Sequence, residues 1–549
     1  MAEDRTIRLA PRSRCLEYYG VCNDLLREVQ HGCTQVKFNH RQCQVVATQY
    51  LESMCSLSEL EFDRVVISCE ESLRELMRVM RRGVKLVSDC LREDWWESVL
   101  IRSECSSFST HIVLHLDDFI SCVNTVKLSF AEATGDLEFS VPLKPDRTHL
   151  SALIEDATQE NNAYLLGVVK RIVEVGGVTA VKKLTTFFMQ ARSINSELSE
   201  VQSIGPCDVV FPPGENIGVG ASGRVKIATW SDKTSVTVKF MADAEQVRSE
   251  AMLLEFLAHP NVVKLIGIGL PKDSDKGQYL VLELMRTSLR NLINTRSDGG
   301  RKPPFEIYTA IDIMLQIAEA LRHFHEHSVL HCDVKANNVL INDDDLTALG
   351  NVQIKVTDFG LARKIESSKP PVSLEYAGTP GWMAPELFEI RRTQGVPYYT
   401  AASDVYAFAV TCFEILSGQV PFEDVHDSDT LRAKLVAGDR PSLPDIYPQY
   451  LRQCIRMCWA TNPEDRPSFG HICEMLKFFR GFCIRYRPGS ATALASVNEH
   501  DAWELSHFSI MMLRSVDDVA CSYAASLYVV ACGEKVCLSQ RPIRFKLLS

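Results

Sequence analysis

The apolar positions of this chain change period part-way along it. From about residue 15 to residue 195 they recur at helical spacing. The clearest run is Leu73, Leu76, Met80, Val84, Val87 and Leu91, separated by three, four, four, three and four residues, which is the pattern of one helix face. The segment CLEYYGVCNDLLREV puts Leu16, Tyr19, Leu26 and Val29 on a second stripe. A third, AYLLGVVKRIVEV from Ala163, is apolar over a wide arc and stops at Gly176 and Gly177, as helix C-termini often do. Long amphipathic segments without a strand-rich interval predict an α-helical bundle over residues 1–195, a packing and interaction module.

The pattern dissolves in INSELSEVQSIGPCDVVFPP, with prolines at 206, 212 and 213, so residues 196–210 read as a linker. Over 211–482 short β-branched runs are followed by helical ones, which predicts a separate α+β domain. Residues 483–549 carry no interpretable motif, and their start, RPGSATALASVNEH, reads as a flexible tail.

A chain of 549 residues exceeds one hydrophobic core, in keeping with this multidomain reading. The net charge of -11 excludes a global attraction to nucleic acid or anionic membrane, so such contact would need a local patch, and no nucleic acid is expected. Nineteen cysteines, an odd number without metal-like spacing, read as reduced thiols of an intracellular protein. The start MAEDRTIRLAPRSR lacks the apolar core of a signal peptide, and Ala2 excludes N-myristoylation. The most apolar stretch, VACSYAASLYVVAC at 519–532, is too short at 14 residues to span a bilayer. The expected location is cytoplasmic, with the inner face of the plasma membrane as an alternative.

The candidate chemistry begins at IGVGASGRVKI, residues 217–227, where Gly218, Gly220 and Gly223 form G-x-G-x-x-G. Glycines let a backbone turn tightly and approach phosphates. The pattern alone also suits a dinucleotide fold, but that turn opens into a helix, whereas VKIATW reads as the return strand of a hairpin. Lys239 follows among β-branched neighbours in TSVTVKF. It is either a solvated strand residue or a phosphate ligand, and Glu250, eleven residues on, offers the carboxylate that the second role requires.

The second half adds HCDVKANNVLI at 331–341, TDFGLAR with Asp358, Phe359 and Gly360, and GTPGWMAPE ending in Ala384, Pro385 and Glu386. Taken in order, these elements resemble the protein-kinase signature set, over about half the chain. The resemblance implies a bilobal fold that binds ATP and Mg2+, with Mn2+ as an alternative ion, and transfers phosphoryl groups to protein substrates. It implies that Asp333 orients the acceptor hydroxyl and takes its proton, that Lys335 reaches the transferring phosphoryl group, and that Lys239 and Glu250 form the phosphate-holding pair. Asn338 and Asp358 would be the metal ligands. Ile217, the three glycines, Val225, Lys239 and Leu340 would line the nucleotide site, with Leu282 guarding its back and Glu283 to Met285 as the adenine hinge. Lys335 and Thr379 are similar to features of serine/threonine rather than tyrosine kinases. Asp404 resembles the carboxylate that holds the catalytic loop, and Arg466 the partner of Glu386. SDVYAFAVTCFEILSGQVPF and CWATNPEDRPSF are similar to the tyrosine-kinase-like group, whose mixed-lineage and Raf-like members act on serine and threonine.

One position departs from that pattern. Cys332 stands where the family usually has an arginine that docks a phosphate on the activation segment. A thiol cannot supply paired charged donors. The chemical parts therefore read as intact and the phosphate-triggered switch as absent, which moves control to the N-terminal helices and their signalling partners. One of these helices, SLRELMRVMRRGVK, carries Arg74, Arg78, Arg81, Arg82 and Lys85. That face is either solvated or a peripheral contact for anionic lipid. A bundle ahead of a kinase-like domain is loosely similar in layout to the mixed-lineage kinase domain-like proteins, where the bundle acts on membranes. A second reading thus stands beside the active kinase: a weakly active nucleotide switch whose bundle is the effector.

Overall fold

The computed structural model describes residues 11–36, 39–62, 69–91, 105–134, 143, 149–160, 209–211, 218–220, 223–230, 234–241, 244–269, 278–342, 352–365, 378–389 and 399–485. The helix expected from Ala163, the hydroxyls of Ser367, Ser368, Ser373 and Tyr376 in the activation segment expected between Asp358 and Glu386, and the tail beyond 485 lie outside them.

The N-terminal part is helical: α1 (Pro11–Gln35), α2 (His40–Ser58), α3 (Glu70–Asp89), α4 (Cys105–Thr134) and α5 over 149–160. The α3 stripe is as expected, with Leu73, Leu76 and Met80 fully buried, Val87 nearly so, and Val84 and Leu91 packed at the edge of the same core. The α1 stripe is corrected. Leu16 is 48% exposed, and the buried line runs through Cys15, Cys22, Leu26, Val29 and Cys33. Free cysteine packs as a small hydrophobe, and a leucine-centred count misses that. Where α2, α3 and α4 meet, Tyr50 and His115 share a hydrogen bond of 2.6 Å. Gly83 makes room for it, because a Cβ there would overlap both the Tyr50 hydroxyl and His115 Nε2.

The second part has two lobes. In the upper one, β1 (Val209–Val210), β2 (Gly218–Gly220), β3 (Gly223–Trp230), β4 (Thr234–Met241), β5 (Leu265–Gly269) and β6 (Gln278–Glu283) form an antiparallel sheet in the order β1-β3-β4-β6-β5, with β2 also paired to β3. The expected linker thus ends in a strand, since Val209 and Val210 pair with Trp230 and Thr229 and Val209 is buried. Helix α6 (Ala244–Phe256) turns Val247, Glu250, Ala251 and Leu254 inward as one face. The lower lobe comprises α7 (Leu289–Ser297), α8 (Ile307–Glu326), α9 (Glu386–Glu389), α10 (Ala401–Ser417), α11 (Ser428–Val436), α12 (Gln449–Cys458) and α13 (Phe469–Arg485). It also holds the short strands β7 (Thr287–Ser288), β8 (Val329–Leu330), β9 (Val339–Asn342), β10 (Gln353–Val356) and β11 (Arg363–Lys364). Helix α10 is buried from Ser403 to Ser417 and forms the axis of this lobe.

The helical part packs on the lower lobe through charged groups removed from water. Asp118 of α4 accepts from Arg82 of α3 at 2.7 Å and from Arg480 of α13. Arg480 also reaches Asp312 of α8 at 3.3 Å. The Tyr308 hydroxyl donates to Glu75 at 2.6 Å, and Lys477 donates to Asp117 at 2.6 Å. Burial alone would raise the Asp118 pKa, but Arg480 and Arg82 hold it down at about 2. Within the helical part, Arg74 pairs with Glu70 and Glu71, Arg78 with Glu75 and Arg82 with Asp118, so two of the interface carboxylates also hold arginines of the basic helix, while Arg81 and Lys85 are exposed. No helix among the described residues is long and apolar enough to cross a membrane.

Candidate active site

The candidate residues converge on the cleft between the lobes. In β4, Lys239 lies directly across from Val225 on one side and Leu280 on the other. Its Nζ donates to both Glu250 oxygens at 2.7 and 3.0 Å and to Asp358 Oδ1 at 3.0 Å. Burial would lower the lysine's pKa, but the two carboxylates outweigh it and raise it, so the ammonium is kept. Glu250 reaches this pair because it shares the inward face of α6 with Ala251 and Leu254. Phe359 is 1% exposed between Phe324 and His331, and its N–H donates to Glu250 at 3.4 Å. Helix α6, the Asp358 turn and the lysine strand are therefore locked in one arrangement.

The loop after β8 is held from below. Asp404, in the first turn of α10, accepts the N–H of His331 and of Cys332 at 2.9 Å each and faces His325 Nε2 at 3.0 Å. Burial would raise its pKa; these donors lower it instead. His331 Nδ1 accepts the Asp333 N–H at 3.3 Å, so its Nε2–H donates to the Thr357 carbonyl at 3.1 Å and ties this loop to the Asp358 turn. Cys332 has φ of 65° and is 6% exposed, with its thiol pKa raised by burial and by Asp404. It is a neutral packing group, and its left-handed backbone lets the loop present Asp333 to the cleft.

Asp333 is gripped on both oxygens. Lys335 Nζ donates to Oδ2 at 2.6 Å and Asn338 Nδ2 at 2.9 Å, while the Thr379 hydroxyl donates to Oδ1 at 2.7 Å. Lys335 also donates to Thr379 at 2.7 Å. The Asn338 amide nitrogen is spent on Asp333, which leaves its oxygen for a cation. An amide oxygen and the Asp358 carboxylate are a hard-oxygen donor set of the kind magnesium takes. Arg466 grips Glu386 with two hydrogen bonds, at 2.7 and 2.8 Å, and so ties the segment after Thr379 to the lower lobe.

At the back of the cleft, Leu282 is buried and paired across from Thr237 and Leu265. Glu283 turns its side chain away to accept the Lys264 N–H at 2.7 Å and pair with Lys355 at 2.9 Å, and its own N–H donates to the Lys264 carbonyl at 3.0 Å. Met285 is buried, and Leu340 of β9 is half-buried between Ser288 and Lys355. Gly218, Gly220 and Gly223 form the hairpin of β2 and β3 rather than a strand-to-helix turn. Ile217 lies outside the described residues. Sequence reasoning overlooked Arg290, Trp382 and Glu414, which meet beneath the loop; FEILSG gave Glu414 no signal beyond a charge within an apolar helix.

The family model for protein tyrosine and serine/threonine kinases matches residues 212–476, a little under half of the chain. This segment is a protein kinase domain. The chain is also similar to the Light-sensor Protein kinase of Ceratodon purpureus, at 26% identity over 507 residues, covering 82% of this chain and 37% of that protein. That span is too long to be confined to the kinase domain. Mitogen-activated protein kinase kinase kinase 7 of Drosophila melanogaster is 32% identical over 277 residues, 49% of this chain and 38% of its own length. Mitogen-activated protein kinase kinase kinase 11 of Homo sapiens is 29% identical over 303 residues, with 52% and 33% covered. The chain thus spans well under half the length of these relatives.

Proposed function

We propose that this chain is an ATP-dependent serine/threonine protein kinase of cytoplasmic signalling, controlled mainly through its N-terminal helices. The observation that carries the reading is the clasp of Asp333 by Lys335, Asn338 and Thr379, beside a closed Lys239, Glu250 and Asp358 cluster. In transfer, the acceptor oxygen bonds to the γ-phosphorus as the bond to the bridging oxygen of ADP breaks. Asp333 orients that hydroxyl and receives its proton, while Lys239 and Lys335 place positive charge beside the phosphates. Magnesium or manganese, held by Asn338 and Asp358, supplies further neutralisation of phosphate charge. Lys335 and Thr379, bonded to each other and to Asp333, support serine and threonine as acceptors.

Control through the bundle is supported by its seat on α8 and α13, because α8 leads through β8 into the catalytic loop. Protein partners would read the outer faces of the bundle. Peripheral lipid contact would have Arg81 and Lys85 as its exposed cations on α3, since the other three arginines are paired within the protein.

The test is purified full-length protein with Mg2+ and labelled ATP, set beside Asp333→Asn. Phosphoserine and phosphothreonine are expected, with a loss of about a thousandfold or more in the variant and nucleotide binding retained. Equal turnover by Asp333→Asn, or predominant phosphotyrosine, would overturn the reading.

A further inference from the structure

Three imidazoles meet where the end of α6 rests on the end of α8. His259, just past α6 and 5% exposed, stacks on His323 with ring centroids 4.9 Å apart. His323 in turn lies 4.2 Å from His327, which caps α8. Phe256, the last residue of α6, sets its ring edge-on to His327 at 5.4 Å, and Lys364 Nζ lies over that phenyl ring at 4.4 Å.

The hydrogen bonds decide which nitrogens are free. His259 Nδ1 accepts the Asn261 N–H at 3.1 Å, so its proton is on Nε2. His327 Nδ1 lies 2.8 Å from the His323 carbonyl, which can only accept, so the proton is on Nδ1 and Nε2 keeps a lone pair. His323 Nε2 is buried and has no hydrogen-bond partner among the described residues. A buried nitrogen of this kind needs a physical reason, and a bound ion is one. Burial, with His327 nearby, lowers the His323 pKa to about 4, so no proton competes for that nitrogen at neutral pH.

Histidines four residues apart lie on one helix face, the spacing at which a helix presents two imidazoles to zinc. The stretch HFHEH offers His323 and His327 in this way, while His325 between them faces Asp404. Imidazole suits zinc, copper and nickel, whereas magnesium takes hard oxygens. Among the described residues no three histidine, cysteine or acidic side chains are grouped for a metal, so the chelate has two protein nitrogens and solvent completes it.

We propose that His323 and His327 form a two-nitrogen site for a divalent transition-metal ion of the zinc class, which fastens the last turn of α8 beside Phe256. The site uses no residue of the cleft and does not depend on the kinase reading. Phe256 ends the helix that carries Glu250, so an ion that fixes the His327 ring is felt along α6.

The experiment titrates Zn2+ into reduced full-length protein with Mg2+ in excess, and compares wild type with His323→Gln, His327→Gln and the double variant. Glutamine stays polar but lacks the imidazole nitrogen that zinc favours. Thiol sites and the Asn338 and Asp358 pair are common to all of these proteins, so only the difference between them reads this site. Wild type should bind one more zinc ion per chain than the double variant, and each single variant should bind that ion at least about tenfold more weakly. In hydrogen exchange, zinc should slow segments 251–259 and 321–328 of wild type and leave the double variant unchanged. His327 is only half-buried, so His327→Gln reads the site with least disturbance of packing. Equal zinc stoichiometry and affinity in wild type and His327→Gln, as expected if a water alone joins the imidazoles, overturns the proposal. The same zinc-dependent slowing in the double variant also overturns it.

Discussion

Replacing Asp118 with asparagine should loosen the helical part and the kinase domain together. The carboxylate accepts from Arg82 on its own side of the interface and from Arg480 on the other. Its pKa is held at about 2 against an ordinary 3.8, despite burial, which corresponds to roughly 2–3 kcal/mol in favour of the charged form. An asparagine keeps the shape and loses that charge, leaving Arg480, among the described residues, with the Asp312 contact at 3.3 Å. Removing one partner of a buried pair typically costs about 3–5 kcal/mol, so the expected loss is roughly 2–5 kcal/mol. The assay is urea denaturation of the full-length protein, with hydrogen exchange read separately over 112–130 and 469–483. Both segments should exchange faster and the first transition should move to lower urea. Faster exchange in 112–130 alone, with the kinase domain's transition unmoved, would refute the view that the ion pairs couple the two parts.

Acid should destabilise the fold through two buried histidines. Burial, with Arg82 nearby, depresses His115 to about 3, and burial, with His327 nearby, depresses His323 to about 4. Both are neutral when folded and take up a proton below about 6.5 when unfolded, so stability should fall as pH drops from 6.5 towards 4, by about 1.4 kcal/mol per pH unit for each; equal denaturation midpoints at pH 7 and pH 5 would refute this. Converting Ser367, Ser368 and Ser373 together to alanine should change the initial rate little, because the buried, neutral Cys332 offers no dock for a phosphate. Cys332→Arg should be no faster than wild type without phosphorylation, since it leaves a cation unpaired beside the catalytic loop. A tenfold loss in the triple alanine would show that the segment is controlled by phosphate after all.

Much of this protein is written locally. The α3 stripe and the glycine hairpin are short-range patterns, and Asp333, Asn338 and Asp358 sit in short motifs, whereas Lys239 and Glu250 took their roles only from the order of all these elements along half the chain. That is why these residues were legible, and why the change of period near residue 200 marked two kinds of domain. Where a count depended on one residue's character, as with Leu16 and Cys15, the pattern still named the right helix and missed which neighbour faced inward, because cysteine buries like a hydrophobe. The basic helix is the clearest limit. Its five cations are equally visible in sequence, but which of them meets solvent depends on Asp118, Glu75 and the packing of α4 and α13. Glu414 and Arg480 are likewise ordinary charges in amphipathic segments until the fold surrounds them with partners far away in the chain. Local periodicity is a property of a few consecutive residues and survives without the rest of the molecule. Burial of a charge, and therefore its pKa, its partner and its role, is decided only when distant segments close over it and exclude water.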